Sequence, residues 1–346
     1  MKSLKYYGPG NLQVEETPVP DVAEGEVLIA VEACGICATD VKTFLRGHPK
    51  IKPGTALGHE VTGTVVKAPD SESWKPGMRV TVAPYLACGS CIQCRRGRFS
   101  LCPNLFNDLL DPGGFSEFVR VPRRIAREAM FVLPATLASA ASCFAEPVAC
   151  CLHAMKSIHV AAGESLLVIG DGVMGLLQAD LGRSMGAKPV LLSGMMPERL
   201  AKAAELADVV IDATNEDVKA AVLRETGGEG ADKVLVSVAD VRAAQTGMAA
   251  ARKGGTINLF AGMPAGSSLE VDANRIHYDE LVLTGSFGFG PEDFRTAVEM
   301  ISSGAIDTLD LVTSYVPLNR AVDALQKLVR QEGLKTIVLC SDAGGK

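Results

Sequence analysis

Four cysteines, Cys88, Cys91, Cys94 and Cys102, fall within the fifteen residues CGSCIQCRRGRFSLC. Their spacing, C-x2-C-x2-C-x7-C, brings four soft thiolates within reach of one tetrahedral Zn2+. Redox catalysis would need only a pair. A disulfide framework is disfavoured in a chain whose thiols stay reduced. Residues 86–104 therefore read as a small lobe closed by a structural zinc ion, set within a much longer chain.

A chain of 346 residues points to about two domains. Hydrophobic residues make up 47%, enough for real cores. A net charge of −6 argues against a nucleic-acid partner, which would call for a basic face. The opening residues, MKSLKYYGPG, lack the apolar core of a signal peptide. No apolar run is long enough to span a membrane, and the richest, 138–151, is broken by Glu146 and Pro147. Ten cysteines without a secretion signal read as metal ligands and buried thiols, so a cytoplasmic location is expected.

Up to about residue 125, short β-type runs (EVLIAVEA, EVTGTVV, MRVTVAP, FSEFVRVP) are separated by Gly and Pro, with no long helical pattern between them. Beyond about residue 135 the texture changes to an Ala-rich helix and then strand–turn–helix repeats. SLLVIG, PVLLSG, DVVIDA, KVLVSV, GTINLFAG and LVLTGS read as strands of a parallel, doubly wound sheet. After Gly290 come two helices and a last strand, KTIVLC, which on pattern alone could complete either domain.

Gly170-Asp171-Gly172-Val173-Met174-Gly175 matches G-x-G-x-x-G. The pattern gains meaning because it follows an apolar strand and opens a helix. The first Gly allows a tight turn, the second lets the backbone approach a pyrophosphate, and the third lets helix pack on strand. The next strand should end in an acid for the adenosine ribose. It ends instead in Ser193-Gly194, followed by Met195 and Met196. With no carboxylate there, repulsion of a 2′-phosphate would be absent, and Arg199 one turn on could pair with that phosphate. This inclines the expectation from NAD(H) toward NADP(H), and an acid introduced at 194 would be expected to reverse it.

Cys37 lies in CGICATD, with Gly58-His59-Glu60 some twenty residues on. Cys, His and Glu make a plausible catalytic zinc set with one position open. Glu146, in AEPVACC, lies in an apolar helix and needs a partner, which metal coordination or a contact beside the metal would supply.

In CGICATD, GHEVTG, the four-cysteine lobe, DPGGFSEF, EPVACCLHA and GDGVMG, taken in order, the chain resembles the zinc-dependent medium-chain dehydrogenases/reductases of the sorbitol, polyol and threonine branch. The resemblance implies a GroES-like catalytic domain, 1–155 with 290–346, around a Rossmann domain, 156–289. It implies homodimers or homotetramers built through the Rossmann sheets. Carried over by position, Cys37, His59 and either Glu60 or Glu146 would hold a catalytic zinc. Asp40 would orient His59, and Thr39 would pass the substrate proton toward the cofactor. Where the family often ends this relay in a histidine, the chain has Lys42: the relay could end in water, Lys42 could itself take the proton, or it could bind an anionic substrate.

The expected activity is reversible oxidation of a secondary alcohol, a polyol, sugar or sugar derivative, with a metal acidifying the hydroxyl and a nicotinamide taking the hydride. His48, Tyr85, Phe106 and Phe287 are candidates for the pocket. A threonine-type amino-alcohol dehydrogenase is the nearest alternative. A zinc-ribbon module fused to a nucleotide sensor would need the lobe but not Cys37, His59 and Glu60.

Overall fold

The computed structural model describes residues 1–341. It divides into two compact units, Met1–Ala149 with the segment from Phe289 onward, and Cys150–Gly288.

The first unit is built mainly from strands. In chain order they are β1 (Lys2–Gly8), β2 (Asn11–Glu16), β3 (Val27–Gly35), β4 (Thr55–Ala56), β5 (Glu60–Lys67), β6 (Arg79–Val82), β7 (Phe118–Val121) and β8 (Met130–Val132). β1 pairs with β2 and β4 in a small antiparallel sheet. β3 is the central long strand of a separate, larger sheet; its residues are largely buried, and it pairs antiparallel with β5 and β7. One helix, Ala38–Arg46, was not foreseen among the β-runs. Its local cause is a capping box: the Cys37 side chain and Asp40 satisfy backbone N–H groups reciprocally at its start. Thr43 and Phe44 are the residues it buries in its second turn.

The second unit alternates strands and helices: β9 (Leu166–Ile169), β10 (Val190–Gly194), β11 (Val209–Asp212), β12 (Ala231–Val236), β13 (Ala251–Leu259) and β14 (Val282–Gly285). All neighbours are parallel, in the order β11-β10-β9-β12-β13-β14. Numbered within the unit this is 3-2-1-4-5-6, the dinucleotide-binding order, with the switch point between β9 and β12. β9 and β10 are wholly buried, which is why LLVI and VLLSG read as continuous runs rather than alternating ones.

The chain then returns to the first unit. β15 (Val312–Pro317) and β16 (Lys335–Leu339) run parallel, and β16 pairs antiparallel with β3, Ile337 opposite Gly35. The last strand thus completes the β-rich unit, a choice the pattern alone left open.

Asp232, in β12, ties three strand starts of the second unit together. Its carboxylate accepts from the Ser165 N–H at 2.8 Å and hydroxyl at 2.5 Å, and pairs with Arg252 at 2.5 Å. Partial burial opposes its ionisation, but the Ser165 bonds and Arg252 outweigh this and hold its pKa below the usual value. A depressed folded pKa contributes stability above the unfolded value of about 3.9 and loses it as pH falls through the folded value. Asp232→Ala is therefore expected to cost about 1–3 kcal/mol at neutral pH, the size of lost charge-assisted hydrogen bonds. The gap to wild type should narrow below about pH 4. Urea denaturation at neutral and acidic pH checks both, and an unchanging gap would refute the ionic part.

Candidate active site and metal centres

In the lobe, Cys91 opens the short helix Ile92–Arg95, and its sulfur accepts the N–H of Cys94. The Cys91 N–H donates to Cys88 Sγ at 3.4 Å, and the Cys88 N–H to Cys102 Sγ at 3.3 Å. Sulfur separations are 3.9 Å for Cys88–Cys94, 3.5 Å for Cys91–Cys94 and 3.9 Å for Cys91–Cys102. A tetrahedron with Zn–S bonds of ~2.3 Å has S···S edges of about 3.8 Å, so the donors fit a zinc ion. Backbone N–H groups of Ser90 and Cys91 lower the Cys88 thiol to about 5, favouring the thiolate that a metal needs. The sulfurs sit on a small core of Ala87, Cys94, Cys102 and Leu105, flanked by Tyr85, Phe99 and Phe106.

The second cluster forms where the helix Ala38–Arg46 begins and β5 begins. Asp40, 2% exposed, accepts the Cys37 N–H at 2.9 Å and the Gly58 N–H at 3.4 Å, and lies 3.8 Å from His59 Nδ1. One buried carboxylate thus fixes the loop before β5, the helix start and the imidazole together. Gly58 has φ +88°, and a Cβ there would meet Phe115 N at 2.7 Å, so the GHE turn needs its glycine. Donor atoms of Cys37, His59 and Glu60 all lie within 4.8 Å of one another. Burial disfavours the imidazolium of His59, but Asp40 and Cys37 outweigh it and raise its pKa well above the usual value.

Glu60 is 2% exposed and forms an ion pair with the equally buried Lys335 of β16. Burial works against the Lys335 cation, yet the Glu60 and Cys37 charges raise its pKa. Oε2 of Glu60 is the oxygen that faces the Lys335 ammonium in this buried position. A buried carboxylate beside a thiol and an imidazole is a donor set that suits a divalent cation. Glu146, also buried, is near enough for its charge to raise the His59 pKa but is not one of the three gathered donors. Lys335 was missed in the sequence. The only signal was a charge opening the apolar strand KTIVL, whose first four residues are all buried.

Thr39 is exposed in the first helical turn, and its N–H donates to Cys37 Sγ at 3.4 Å. Lys42, further along the same helix, is half-buried. Among the pocket candidates, Tyr85 meets Phe106 edge-on at 5.3 Å and stacks on Phe289 at 4.6 Å, and the Lys50 ammonium sits 4.5 Å above the Phe106 ring. His48 is exposed and its Nδ1 accepts the Lys50 N–H; Phe287 is 58% exposed and lies in the other unit.

The glycine turn joins β9 to the helix Val173–Ser184, with Gly172 capping it and Val173 and Met174 in its first turn. Gly170 has φ +125°. A Cβ at Gly172 would meet nothing within 4 Å, leaving room for a ligand, whereas one at Gly175 would lie 1.8 Å from Gly170 O. Tight turn, open approach and close packing are thus divided among the three glycines as the motif demands. Ser193 and Gly194 are buried, and Arg199 is half-buried. The reading of this strand end as free of carboxylate needs correction. Asp171 reaches across from the turn, accepts the N–H groups of Met195 at 2.7 Å and Met196 at 2.8 Å, and lies 3.8 Å from Arg199. A Cβ at Gly194 would meet Asp171 Oδ2 at 2.5 Å, so an acid cannot simply be added there.

Two family models match: the alcohol dehydrogenase GroES-like domain over residues 23–130 and the zinc-binding dehydrogenase domain over 173–303. The D-arabitol-phosphate dehydrogenase of Enterococcus avium is 30% identical, over 98% of this chain and 97% of its own. The sorbitol dehydrogenase of Bacillus subtilis is 27% identical over the same shares. A crystal structure from Sinorhizobium meliloti 1021, described as a zinc-binding dehydrogenase bound to NADP, superposes with a TM-score of 0.90 at 32% identity, covering 98% of each chain.

Removing one partner of a buried ion pair strands the other charge. Lys335→Met is expected to cost about 3–5 kcal/mol in chemical denaturation of the purified protein, and Glu60→Gln/Lys335→Met to regain most of it. A cost below about 1 kcal/mol for the single variant would mean that the pair does not hold the site together.

Proposed function

The chain belongs to the zinc-dependent medium-chain dehydrogenases/reductases, in their polyol branch, and from that premise we propose that it oxidises a secondary alcohol of a polyol or sugar derivative reversibly. The observation that carries the reading is the convergence of Cys37, His59 and Glu60 on one point. We propose two zinc ions per chain, one held by these three residues and one by Cys88, Cys91, Cys94 and Cys102. Bound at the first site, Zn2+ supplies Lewis acidity toward the substrate hydroxyl, while the nicotinamide cofactor supplies the hydride acceptor.

The chain's own residues do the positioning. Asp40 orients the His59 ring and, through the Cys37 N–H, the thiol beside it. Lys335 offsets the Glu60 charge, so that this carboxylate can share one small space with the Cys37 thiol and the Asp40 carboxylate. Thr39, exposed next to Cys37, is placed to receive the substrate proton.

Lys42 holds an anionic group of the substrate in this reading. Between Asp40 and Glu60 the chain carries Lys42, Arg46, Lys50 and Lys52 and no acid, in a protein of net charge −6. The relative named for a phosphorylated pentitol supports this choice over a threonine-type substrate. For the cofactor, the NADP-bound relative and the position of Arg199 support NADP(H), and the Asp171 carboxylate opposes it. Among the described residues the outer strand β14 pairs only with β13 and leaves Val282 and the nearby Tyr278 exposed, which supports a homodimer or homotetramer through that edge. A cytoplasmic setting is part of this reading, on the cysteine usage of the sequence.

Zinc content separates this reading from a sensor carrying the lobe alone. Cys37→Ala should keep its fold, fall from two zinc ions to one and lose activity. Cys94→Ser should lose the structural ion and soluble protein, because a closed zinc site contributes to folding. Near-normal turnover in Cys37→Ala would sink the assignment.

If Lys42 meets an anion, Lys42→Ala should raise KM about tenfold or more for sugar phosphates or sugar acids, the size of a lost charge-assisted contact, and leave neutral polyols unaffected. An unchanged KM for every substrate, with a pH-dependent fall in kcat, would show instead a proton relay through Lys42.

A further inference from the structure

The strand end that should carry an adenosine-ribose acid ends in glycine, yet a carboxylate stands in its place. We infer that Asp171, delivered from the glycine turn, is this chain's ribose-reading acid and selects against a 2′-phosphate. The inference rests on the reading of Gly170–Gly175 as a dinucleotide turn.

Three observations converge on one carboxylate. An aspartate grown at position 194 would carry its oxygens about 2.4 Å from its own Cβ, from ordinary bond lengths. Asp171 Oδ2 lies 2.5 Å from that Cβ position. The Asp171 Cβ lies at the same 2.5 Å and Cγ at 2.7 Å, so the whole side chain lies over this position, its carboxylate within reach of the shell that a residue-194 acid would fill, and only glycine leaves room for it. Second, Oδ2 accepts the Met195 and Met196 N–H groups, so the first amides beyond β10 already hold an anion. Those amides are the donors that a 2′-phosphate would otherwise seek at the start of the helix Pro197–Leu206. Third, Oδ1 faces the Arg199 guanidinium at 3.8 Å. Arg199 is thereby balanced by an acid before any cofactor arrives, and its charge is not the unopposed cation that the sequence implied.

Oδ1 makes no bond to either amide, which leaves it the oxygen able to accept a ribose hydroxyl. A phosphate at the same place would meet a fixed negative charge in a half-buried setting, where like charges are poorly screened. Position 194 and residue 171 thus act as one unit: the acid has moved to the turn, and the glycine is its counterpart.

The test is equilibrium binding of NAD+ and NADP+ to the purified holoprotein by calorimetry, with thermal unfolding as a check on each variant. Asp171→Asn keeps the shape and one acceptor for the two amides. It is expected to weaken NAD+ and strengthen NADP+, moving the ratio of their dissociation constants at least tenfold toward NADP+. Asp171→Gly/Gly194→Asp returns the acid to the strand end and also removes the Asp171 Cβ, which lies 2.5 Å from a Cβ at 194, and should restore the wild-type ratio even if Asp171→Asn folds poorly. Equal losses for both cofactors would show that Asp171 only braces the Met195–Met196 segment, and would overturn the inference. A shift toward NAD+ in Asp171→Asn would overturn it too, since Asp171 would then be aiming Arg199 at the phosphate. Wild type binding neither cofactor would remove the dinucleotide reading itself, an outcome distinct from binding both with a ratio insensitive to residue 171.

Discussion

The buried pair of Glu60 and Lys335 is the contact on which the first unit's chemistry depends. Cys37, Asp40 and Glu60 crowd three acidic groups into a space with little water. Charges so placed are tolerable only with partners, and the chain supplies His59 and Lys335. Lys335 comes from the last strand, so the site is incomplete until β16 docks against β3. This gives a physical reason for the return of the C-terminal segment to the β-rich unit. Ile337 pairs with Gly35, two residues before Cys37, and that register sets the lysine beside the glutamate.

Two glycines serve a common purpose at the two sites. A Cβ on Gly35 would lie 1.9 Å from Glu60 Oε2, and one on Gly194 would lie 2.5 Å from Asp171 Oδ2. In each case an absent side chain makes room for a carboxylate delivered from elsewhere in the fold. The conformational freedom of glycine is secondary here, since neither backbone lies in the left-handed region. What matters is the empty volume. In the turn the logic differs again: Gly170 and Gly175 permit tight geometry, while Gly172 faces open space.

Much of the architecture was legible because it is written locally. The four lobe cysteines lie within fifteen residues, and their spacing alone limits them to one metal-sized cluster. The buried parallel strands announce themselves as continuous apolar runs, and a glycine turn between strand and helix has one common use. Cys37, Asp40, His59 and Glu60 were also within reach of pattern and resemblance, because two short segments carry them all. The helix Ala38–Arg46 was overlooked among β-runs, since its signal is a cap and two buried residues rather than a long period.

What only the tertiary structure decided are contacts whose partners are remote in sequence or hidden by an absence. Nothing in KTIVLC says that its lysine will face Glu60; that follows from the pairing of β16 with β3. The choice of Glu60 over Glu146 in the gathered trio is likewise a matter of distance in space. Gly194 read as the loss of an acid, when packing shows the same position filled from Asp171. Sequence by itself determined the two cores, the clustering of the four lobe cysteines and the glycine turn between strand and helix, because hydrophobic periodicity and short spacings are properties of neighbouring residues. The charge balance at each site was settled by strand register and by volumes that glycine leaves empty, and these exist only once distant segments have packed together.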